Sequence, residues 1–264
     1  MVLILPPLAI LLYLAGALQL ARRIGSGRGP MPVAFWAIPA LALLAHLGTH
    51  VLIWRTIGGA DLHFASALSL VGAGMVGLTL PLAARGRMAA LATIVLPIAA
   101  ATLALYAVLG ERAPSDHDWR LQLHAWSALL AYAALALAAL LAVLLWMQER
   151  ALRQRRFSAW LRALPPLIEL ETLMFRTIAF GFVLLTAALL TGVLFVEDLL
   201  AQHLAHKTVF SMLSWLAFGA LLLGRRLRGW RGRTAVRWVL LAMSLLVLAY
   251  FGSSFVLEYL LQRR

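Results

Sequence analysis

Long apolar stretches without charged residues recur along this chain and constrain its fold more than any other feature. Each is about twenty residues long, enough for an α-helix to cross a ~30 Å hydrocarbon core at 1.5 Å per residue. Polar and apolar residues do not alternate, which argues against an outer-membrane barrel. The sequence therefore predicts an all-α, polytopic membrane helix bundle, a single integral-membrane domain over 1–264. About eight transmembrane helices are expected, over residues 2–21, 33–54, 62–84, 88–109, 121–147, 172–196, 208–224 and 234–261.

The composition agrees with a membrane class. Of 264 residues, 63% are hydrophobic and 12% are charged, and the mean hydropathy is +0.91. A soluble domain of this size needs far more charge on its surface. The first span ends in Arg22-Arg23 and lacks a basic leader, so we expect an anchor rather than a cleaved signal. The chain has no cysteine, which excludes thiol–disulfide chemistry and iron–sulfur ligation by the chain itself.

The formal charge of +13 is distributed unevenly between alternate loops. The first, third, fifth and seventh loops hold most of the arginines, whereas most acids lie in the second, fourth and sixth. This is the positive-inside pattern, and it predicts that both termini lie outside. It also argues against nucleic acid as a partner and makes anionic lipid a secondary one.

Two segments carry further local signals. In the third span, Ser69, Ala73 and Gly77 recur every four residues beside Gly72, which predicts close packing at the centre of the bundle. The inner segment at about 148–171 places its apolar residues near one helical face and ends at Pro165-Pro166. It suits a short amphipathic helix on the inner leaflet, and a solvated run of charge is the alternative.

All seven histidines lie in or near the predicted outer half of the membrane. Imidazole is the most common protein ligand for metals and a usual axial ligand for heme. A cluster on one side is therefore the main functional lead. The residues are His46, His50, His63, His117, His124, His203 and His206.

His46 and His50 are four residues apart on the second span, so both lie on one helical face. This spacing can chelate a metal, although the pair is two ligands short of a closed zinc site. The alternative is that both side chains form hydrogen bonds inside the bundle.

His124 opens the fifth span, and the small residues Ala128 and Ala131 continue its face. This pattern leaves room for a flat group beside the imidazole, while the alternative is a histidine at the headgroup level. His203 and His206 are three residues apart and share a face if their loop is helical. The alternative for that pair is an interfacial position.

His63 and His117 are weaker candidates. Paired acids in a cleft, a nucleophile elbow, a phosphate loop and a dinucleotide fingerprint are all missing from the sequence. The chain is therefore expected not to be an enzyme.

Several segments resemble the cytochrome c assembly superfamily, the heme-handling membrane proteins of the CcsA and CcmC type. They are LLAYAAL after His124, HKTVFSMLSWLAFGALLLGRR, GWRGRTA and LAYFGSSFVLE. The resemblance is clearest over 120–260 and is closest to the YpjD branch of shorter, eight-span inner-membrane proteins. It implies a multi-pass protein of the bacterial inner membrane that binds heme b near its outer face and serves cytochrome c assembly. The lipid bilayer, heme and cytochrome c maturation or other membrane-complex proteins are the implied partners. His124 matches the superfamily's outer histidine and inherits the role of an axial ligand.

The sequence departs from the superfamily at two places. Members that present heme carry a tryptophan-rich outer segment where this chain has VEDLLAQHLAH. Their second axial histidine has no counterpart, and the nearest positions here are Leu223 and Gly224. His46 or His206 is the preferred second ligand, with His50 as a further candidate. Heme ligase activity is not expected.

The alternative function is a non-heme accessory or scaffold subunit of a transporter or metal-handling complex. The missing tryptophans and second ligand favour it. A channel or carrier is a weaker hypothesis, because no span carries a line of charges through the midplane.

Overall fold

The computed structural model describes residues 4–26, 32–85, 88–112, 118–155, 158–195, 205–252 and 255. These residues form helices and no β-strand, and eight of the helices are long and apolar enough to cross a membrane. The all-α class and the eight predicted spans are confirmed; the orientation of the termini stays a prediction. The helices are α1 (Leu5–Gly25), α2 (Ala37–Ile57), α3 (Phe64–Arg85), α4 (Ala89–Leu109), α5 (Trp119–Arg153), α6 (Ala159–Arg162), α7 (Leu167–Phe195), α8 (Ala205–Arg228) and α9 (Gly232–Val247).

Local signals explain several helix boundaries. Prolines occupy the first turn of α1, where their missing N–H groups cost nothing. A 3₁₀ turn, Val33–Trp36, leads into α2, and Gly58 ends α2 in the left-handed region at φ 77°. A π-helical turn, Leu248–Gly252, follows α9.

Over its described residues, the segment at 148–171 does not form one continuous amphipathic helix, because Arg155 adopts a positive φ of 53° and Ser158 is extended. Instead α5 continues to Arg153, and α6 is a single turn capped by the Ser158 hydroxyl. The indole of Trp160 donates a hydrogen bond to Thr93 Oγ1 on α4 at 3.0 Å. Gln148 Nε2 donates to the Pro165 carbonyl at 3.0 Å. The segment is therefore tied to the protein by polar contacts at both Gln148 and Trp160.

The chain divides into two compact units. The N-terminal unit consists of Met1–Ser115 and Gln148–Leu167, and contains α1 to α4, α6 and the end of α5. The C-terminal unit consists of Asp116–Met147 and Ile168–Arg264, and contains α8, α9 and most of α5 and α7.

In the N-terminal unit, α1 packs on α2 and α4, and α3 packs on α4 and α2. A buried apolar cluster joins all four helices; its members are Ala9, Ile53, Ala65, Leu103 and Tyr106. The close packing predicted for the third span is present at Gly72. A Cβ there would lie 2.4 Å from Thr102 Oγ1 and 3.3 Å from Ala99 Cα on α4.

In the C-terminal unit, four helices close a ring in the order α5, α7, α8, α9. Gly181 of α7 lets α5 approach, since a Cβ there would lie 2.7 Å from Leu135 Cγ. The other three contacts are hydrogen bonds: Trp215 Nε1 to Thr186 Oγ1 (2.9 Å, α8–α7), Ser214 Oγ to the Ala242 carbonyl (2.8 Å, α8–α9) and Tyr132 Oη to the Leu246 carbonyl (2.5 Å, α5–α9). In this order α5 and α8 each contact both α7 and α9, so α5 and α8 lie at opposite corners of the ring.

Candidate functional site

The predicted site histidines are divided between the two units. His46, His50 and His63 belong to the N-terminal unit, whereas His124 and His206 belong to the C-terminal unit. His117 and His203 lie outside the described residues. Across the described part of the chain, no three histidine, aspartate or glutamate side chains converge to hold a metal ion.

His46 and His50 share a face of α2 as their spacing predicts, and their rings stack with centroids 5.5 Å apart. His46 is fully buried and both of its ring nitrogens are engaged. Nδ1 lies 3.2 Å from Tyr13 Oη on α1, and Nε2 lies 2.8 Å from Ser69 Oγ on α3. His50 Nε2 shares the same serine hydroxyl at 3.0 Å. To ligate a metal, His46 would have to give up one of these hydrogen bonds.

A second polar cluster lies at the α2–α3 connection, centred on Asp61. Its Oδ1 is 2.5 Å from His63 Nδ1, and its Oδ2 accepts from Tyr106 Oη at 3.2 Å and from the Arg112 backbone N–H at 3.1 Å. Burial acts to raise the pKa of the Asp61 carboxyl, but the hydrogen bonds from His63 and Arg112 outweigh it and hold the pKa below its usual value. Asp61 is therefore a buried carboxylate with several donors.

His63, a weaker candidate from the sequence, has a defined position in the structure. Its Nδ1 is bonded to Asp61, while its Nε2 is buried without a hydrogen-bond partner among the described residues. Asp61 two residues before His63 is the local signal that could have found the pair. Tyr106 contacts both groups of polar residues. Its ring stacks on that of His50, with 4.9 Å between centroids and 7° between planes, and its hydroxyl binds Asp61.

His124 is held by α7 near the beginning of α5. Its Nδ1 lies 2.8 Å from the Ala188 carbonyl and 3.4 Å from Thr191 Oγ1. A carbonyl can only accept, so Nδ1 carries the proton and Nε2 carries the lone pair. A Cβ on Gly192 would lie 3.1 Å from His124 Cε1, so the missing side chain there makes room for the ring. His124 is half-buried, and the buried residues of α5 begin only at Leu129.

His206 lies at the same end of the C-terminal unit as His124. Trp215 and Gly219 of α8 contact Thr186 and Phe182 of α7, which fixes the antiparallel register of these helices. By this register His206 is level with Phe195. His124 is level with Thr191, about one turn or ~6 Å lower along α7. His206 is half-buried and forms no hydrogen bond with another described residue.

Cations and aromatic rings surround this end of the unit. Arg120 lies over the rings of Trp119 and Phe195, with its Cζ at 5.8 and 5.7 Å from their centroids. Lys207 Nζ lies 5.6 Å from the centroid of Tyr250. The end therefore combines positive charge with apolar surface, as a ligand that is both apolar and anionic requires.

Leu223 and Gly224, the nearest positions to the superfamily's second axial histidine, lie far from this end. Gly224 is 18 residues beyond His206 on α8, which is ~27 Å along the helix. The indole of Trp230 fills the space that a side chain would need, since a Cβ on Gly224 would lie 2.4 Å from it. Trp230 also stacks on Trp238. The GWRGR segment is thus a packed connection between α8 and α9.

A model of the cytochrome C assembly protein family matches residues 37–261. The chain belongs to the cytochrome c assembly family. It is 32% identical to an uncharacterized 28.8 kDa protein of Azospirillum brasilense over 237 residues, which are 86% of this chain and 82% of that protein. It is also 32% identical to inner membrane protein YpjD of Escherichia coli K12, over 62% of this chain and 64% of that protein. The cytochrome c biogenesis protein CcsA of Prochlorococcus marinus is 31% identical over 33% of this chain and 28% of its own length.

These comparisons confirm the family, and within it the kinship to YpjD. Together with the eight membrane-capable helices, they identify this cytochrome c assembly family member as a multi-pass protein of the bacterial inner membrane. The match begins at Ala37, the first residue of α2, and so includes most of both units.

Proposed function

We propose that this protein binds heme b at the His124 end of its C-terminal unit, with His124 Nε2 as an axial ligand, and that it serves cytochrome c assembly. The observation that carries the proposal is the hydrogen bond from His124 Nδ1 to the Ala188 carbonyl. Metal-ligating histidines almost always donate their other ring N–H to such an acceptor. The donation fixes the tautomer, orients the ring and makes Nε2 more basic.

The surroundings of His124 fit a heme. The macrocycle is apolar and its propionates are anionic, so it suits a half-buried position next to cations. Arg120 and Lys207 would hold the propionates, and the α5 residues before Leu129 are exposed or half-buried rather than packed in the core. Bound heme would supply an iron that can be carried and passed on or change its oxidation state. The contribution of this chain would be to ligate, orient and shield it.

His206 is the preferred second ligand within this proposal. It lies in the same unit and at the same end, about one turn from the level of His124, and no hydrogen bond to a described residue occupies its ring. His46 and His50 remain candidates by their chemistry. Both ring nitrogens of His46 and the Nε2 of His50, however, are engaged with Tyr13 and Ser69 in the N-terminal unit.

The test is the absorption spectrum of the full chain, purified in mild detergent from heme-replete cells. The wild type is expected to show a Soret band, and His124→Ala to lose it. His206→Ala is expected to retain heme with an altered spectrum, as when one of two axial ligands is replaced. A colourless wild-type protein, with heme abundant during expression, would refute the proposal and favour the non-heme scaffold.

A rescue experiment separates ligation from folding. His124→Gly keeps the ring-sized space, so imidazole added to the purified variant should restore the Soret band. Thr186→Val is a matched control, because it removes a hydroxyl of the same unit that bonds to Trp215 and to the Phe182 carbonyl but not to His124. If this control loses heme as completely as His124→Ala, the loss reports the packing of the unit rather than ligation.

We further propose that the chain makes and breaks no covalent bonds itself and hands heme to other cytochrome c maturation proteins. Family membership supports a role in cytochrome c assembly. The Trp230 indole, packed against Gly224, leaves no room for a ligand side chain at position 224.

A further inference from the structure

The N-terminal unit contains a cavity of about 530 Å³, lined by the C-terminal half of α1 and by the 3₁₀ turn that leads into α2. Its polar lining side chains are Gln19, Arg22, Arg23 and Ser26. None of the described lining residues is a histidine, methionine, cysteine or tyrosine, so the cavity offers none of the usual axial ligands for heme iron. We propose that it binds one phospholipid with an anionic headgroup, whose phosphate is held by Arg22 and Arg23.

The helix and the turn that line this cavity contain basic residues but no acidic one. The sequence has no aspartate or glutamate before Asp61. Arginines elsewhere in the chain face a carboxylate instead: Arg225 Nη1 and Arg231 Nε lie 4.0 and 3.8 Å from Glu171 Oε1. The planar guanidinium group can bind two phosphate oxygens at once. Because the negative end of the α1 dipole lies here, the side chains rather than the backbone would attract the anion.

Apolar groups form the rest of the wall and continue from it along α1. Leu18 and Phe35 line the cavity. Leu11, Leu14 and Leu18 are exposed and recur every three or four residues, so they form a stripe on the helix that leads to Arg22. From Leu11 to Arg22 the helix rises ~16 Å, about half the thickness of a ~30 Å hydrocarbon core. An acyl chain can therefore lie along the stripe while the phosphate of the same lipid reaches Arg22.

Gln19 lies one helical turn before Arg23, which places it on the acyl-chain side of the arginines. Its side-chain oxygen is buried and has no hydrogen-bond partner among the described residues. Rotation of the amide exchanges the oxygen with the NH₂ group, so Gln19 can accept from a headgroup hydroxyl or donate to an ester carbonyl. Arg23 lies over the ring of Phe35, with its Cζ 5.0 Å from the centroid. The polar groups of the cavity thus match the order of phosphate and ester groups in a phospholipid.

A free phosphate ion shares the charge of the headgroup and is the alternative occupant. It would contact the arginines but leave Gln19 and the apolar wall without a ligand, which is why we favour a lipid. The charge pattern predicts that this end of α1 lies at the inner leaflet, where anionic lipids attract basic residues. The cavity belongs to the N-terminal unit and His124 to the C-terminal unit, so this proposal does not depend on heme binding.

The test is retention of added lipid by the full chain, purified in mild detergent and measured by native mass spectrometry. Phosphatidylglycerol is the probe, and phosphatidylcholine with the same acyl chains is the control without net charge. The wild type is expected to retain one phosphatidylglycerol at a lipid concentration that leaves phosphatidylcholine unbound. Inorganic phosphate in large excess should not displace the lipid.

Three variants separate the headgroup contact from general attraction to positive charge. Arg22→Gln should weaken phosphatidylglycerol binding roughly fivefold or more, the contribution of one basic residue beside anionic lipid. Arg226→Gln is the matched control, because it removes the same charge from an exposed position near the end of α8, outside the cavity lining and on the same predicted side of the membrane; it should leave the affinity unchanged. Ala15→Phe keeps every charge but fills the cavity, which Ala15 also lines, and should abolish lipid retention. Arg22 and Ala15 are exposed, so both variants should keep the helix content of the wild type in circular dichroism.

Four results would each overturn the proposal. One is a wild type that retains no phosphatidylglycerol. Equal weakening in Arg22→Gln and Arg226→Gln would show attraction to net charge rather than a site. Equal retention of phosphatidylcholine would show that the headgroup is not recognised. Displacement by inorganic phosphate, with binding unchanged in Ala15→Phe, would assign the cavity to a soluble anion.

Discussion

Alanine in place of Gly72 should separate α3 from α4 and destabilise the N-terminal unit. The added Cβ would lie 2.4 Å from Thr102 Oγ1 and 3.3 Å from the backbone Cα of Ala99. Thr102 can rotate away, but its hydroxyl then loses the hydrogen bond to the Ala99 carbonyl (3.1 Å), worth about 1 kcal/mol. The backbone atom cannot rotate, so the helices must shift by a few tenths of an ångström.

The magnitude follows from three contributions. Overpacking of a tight interface costs typically 1–3 kcal/mol, and the lost hydrogen bond adds about 1 kcal/mol. Replacing glycine by alanine in a helix interior stabilises the helix by up to about 1 kcal/mol. The net expectation for Gly72→Ala is a loss of about 1–3 kcal/mol in the free energy of unfolding.

Gly77 provides the matched control on the same helix. A Cβ there meets only Leu43 Cδ2 at 3.9 Å, an ordinary contact. Gly77→Ala should therefore be neutral or stabilise by up to about 1 kcal/mol. The assay is reversible unfolding in mixed detergent–SDS micelles, followed by tryptophan fluorescence.

A double-mutant cycle identifies the atom responsible. Thr102→Ala removes the Oγ1 that the new Cβ meets, so Gly72→Ala should cost less in that background than in the wild type. If Gly72→Ala is no more destabilising than Gly77→Ala, or if Thr102→Ala relieves nothing, the close approach of α3 and α4 is not what Gly72 permits.

Two further substitutions test other parts of the fold. The Asp61 pKa is lower in the folded than in the unfolded state, so the carboxylate stabilises the protein above its unfolded pKa, and this stability is lost as the pH falls through the folded pKa. Melting temperatures measured from about pH 7 down to pH 3 should therefore fall less steeply for Asp61→Asn, which is less stable at neutral pH; parallel curves for the two proteins would contradict this. Tyr132→Phe removes the hydrogen bond to the Leu246 carbonyl that joins α5 to α9, and should cost about 1 kcal/mol in the unfolding assay above. An unchanged stability would mean that this bond does not hold the two helices together.

Sequence patterns predicted the secondary structure best where the lipid bilayer constrains it. An apolar run must satisfy its own backbone hydrogen bonds in lipid, so eight such runs gave eight helices. The helical period also placed His46 and His50 on one face of α2, because residues four apart lie on the same side of an α-helix. It was insufficient over 148–171, where the apolar spacing alone suggested a short helix on the inner leaflet. There the Trp160 indole bonds to Thr93, a residue 67 positions away that no local pattern connects to it.

For the candidate site, the sequence identified the residue types but not their partners. His124 was singled out from its position and from the family resemblance, yet the tautomer that frees its Nε2 depends on the Ala188 carbonyl of another helix. His63 was among the weaker candidates, and only the folded chain shows that its Nδ1 binds Asp61 and that its Nε2 is buried.

The order of amino acids determined, without further information, that this protein lies in a membrane, how many times it can cross it and that His46 and His50 share one face of α2. These properties depend on hydrophobicity and on 3.6 residues per turn, both of which are local. Tertiary packing decided which nitrogens are free and which are engaged. A hydrogen bond acts over about 3 Å, and only the docking of α1, α3 and α7 brings Tyr13, Ser69 and the Ala188 carbonyl within that range of a histidine.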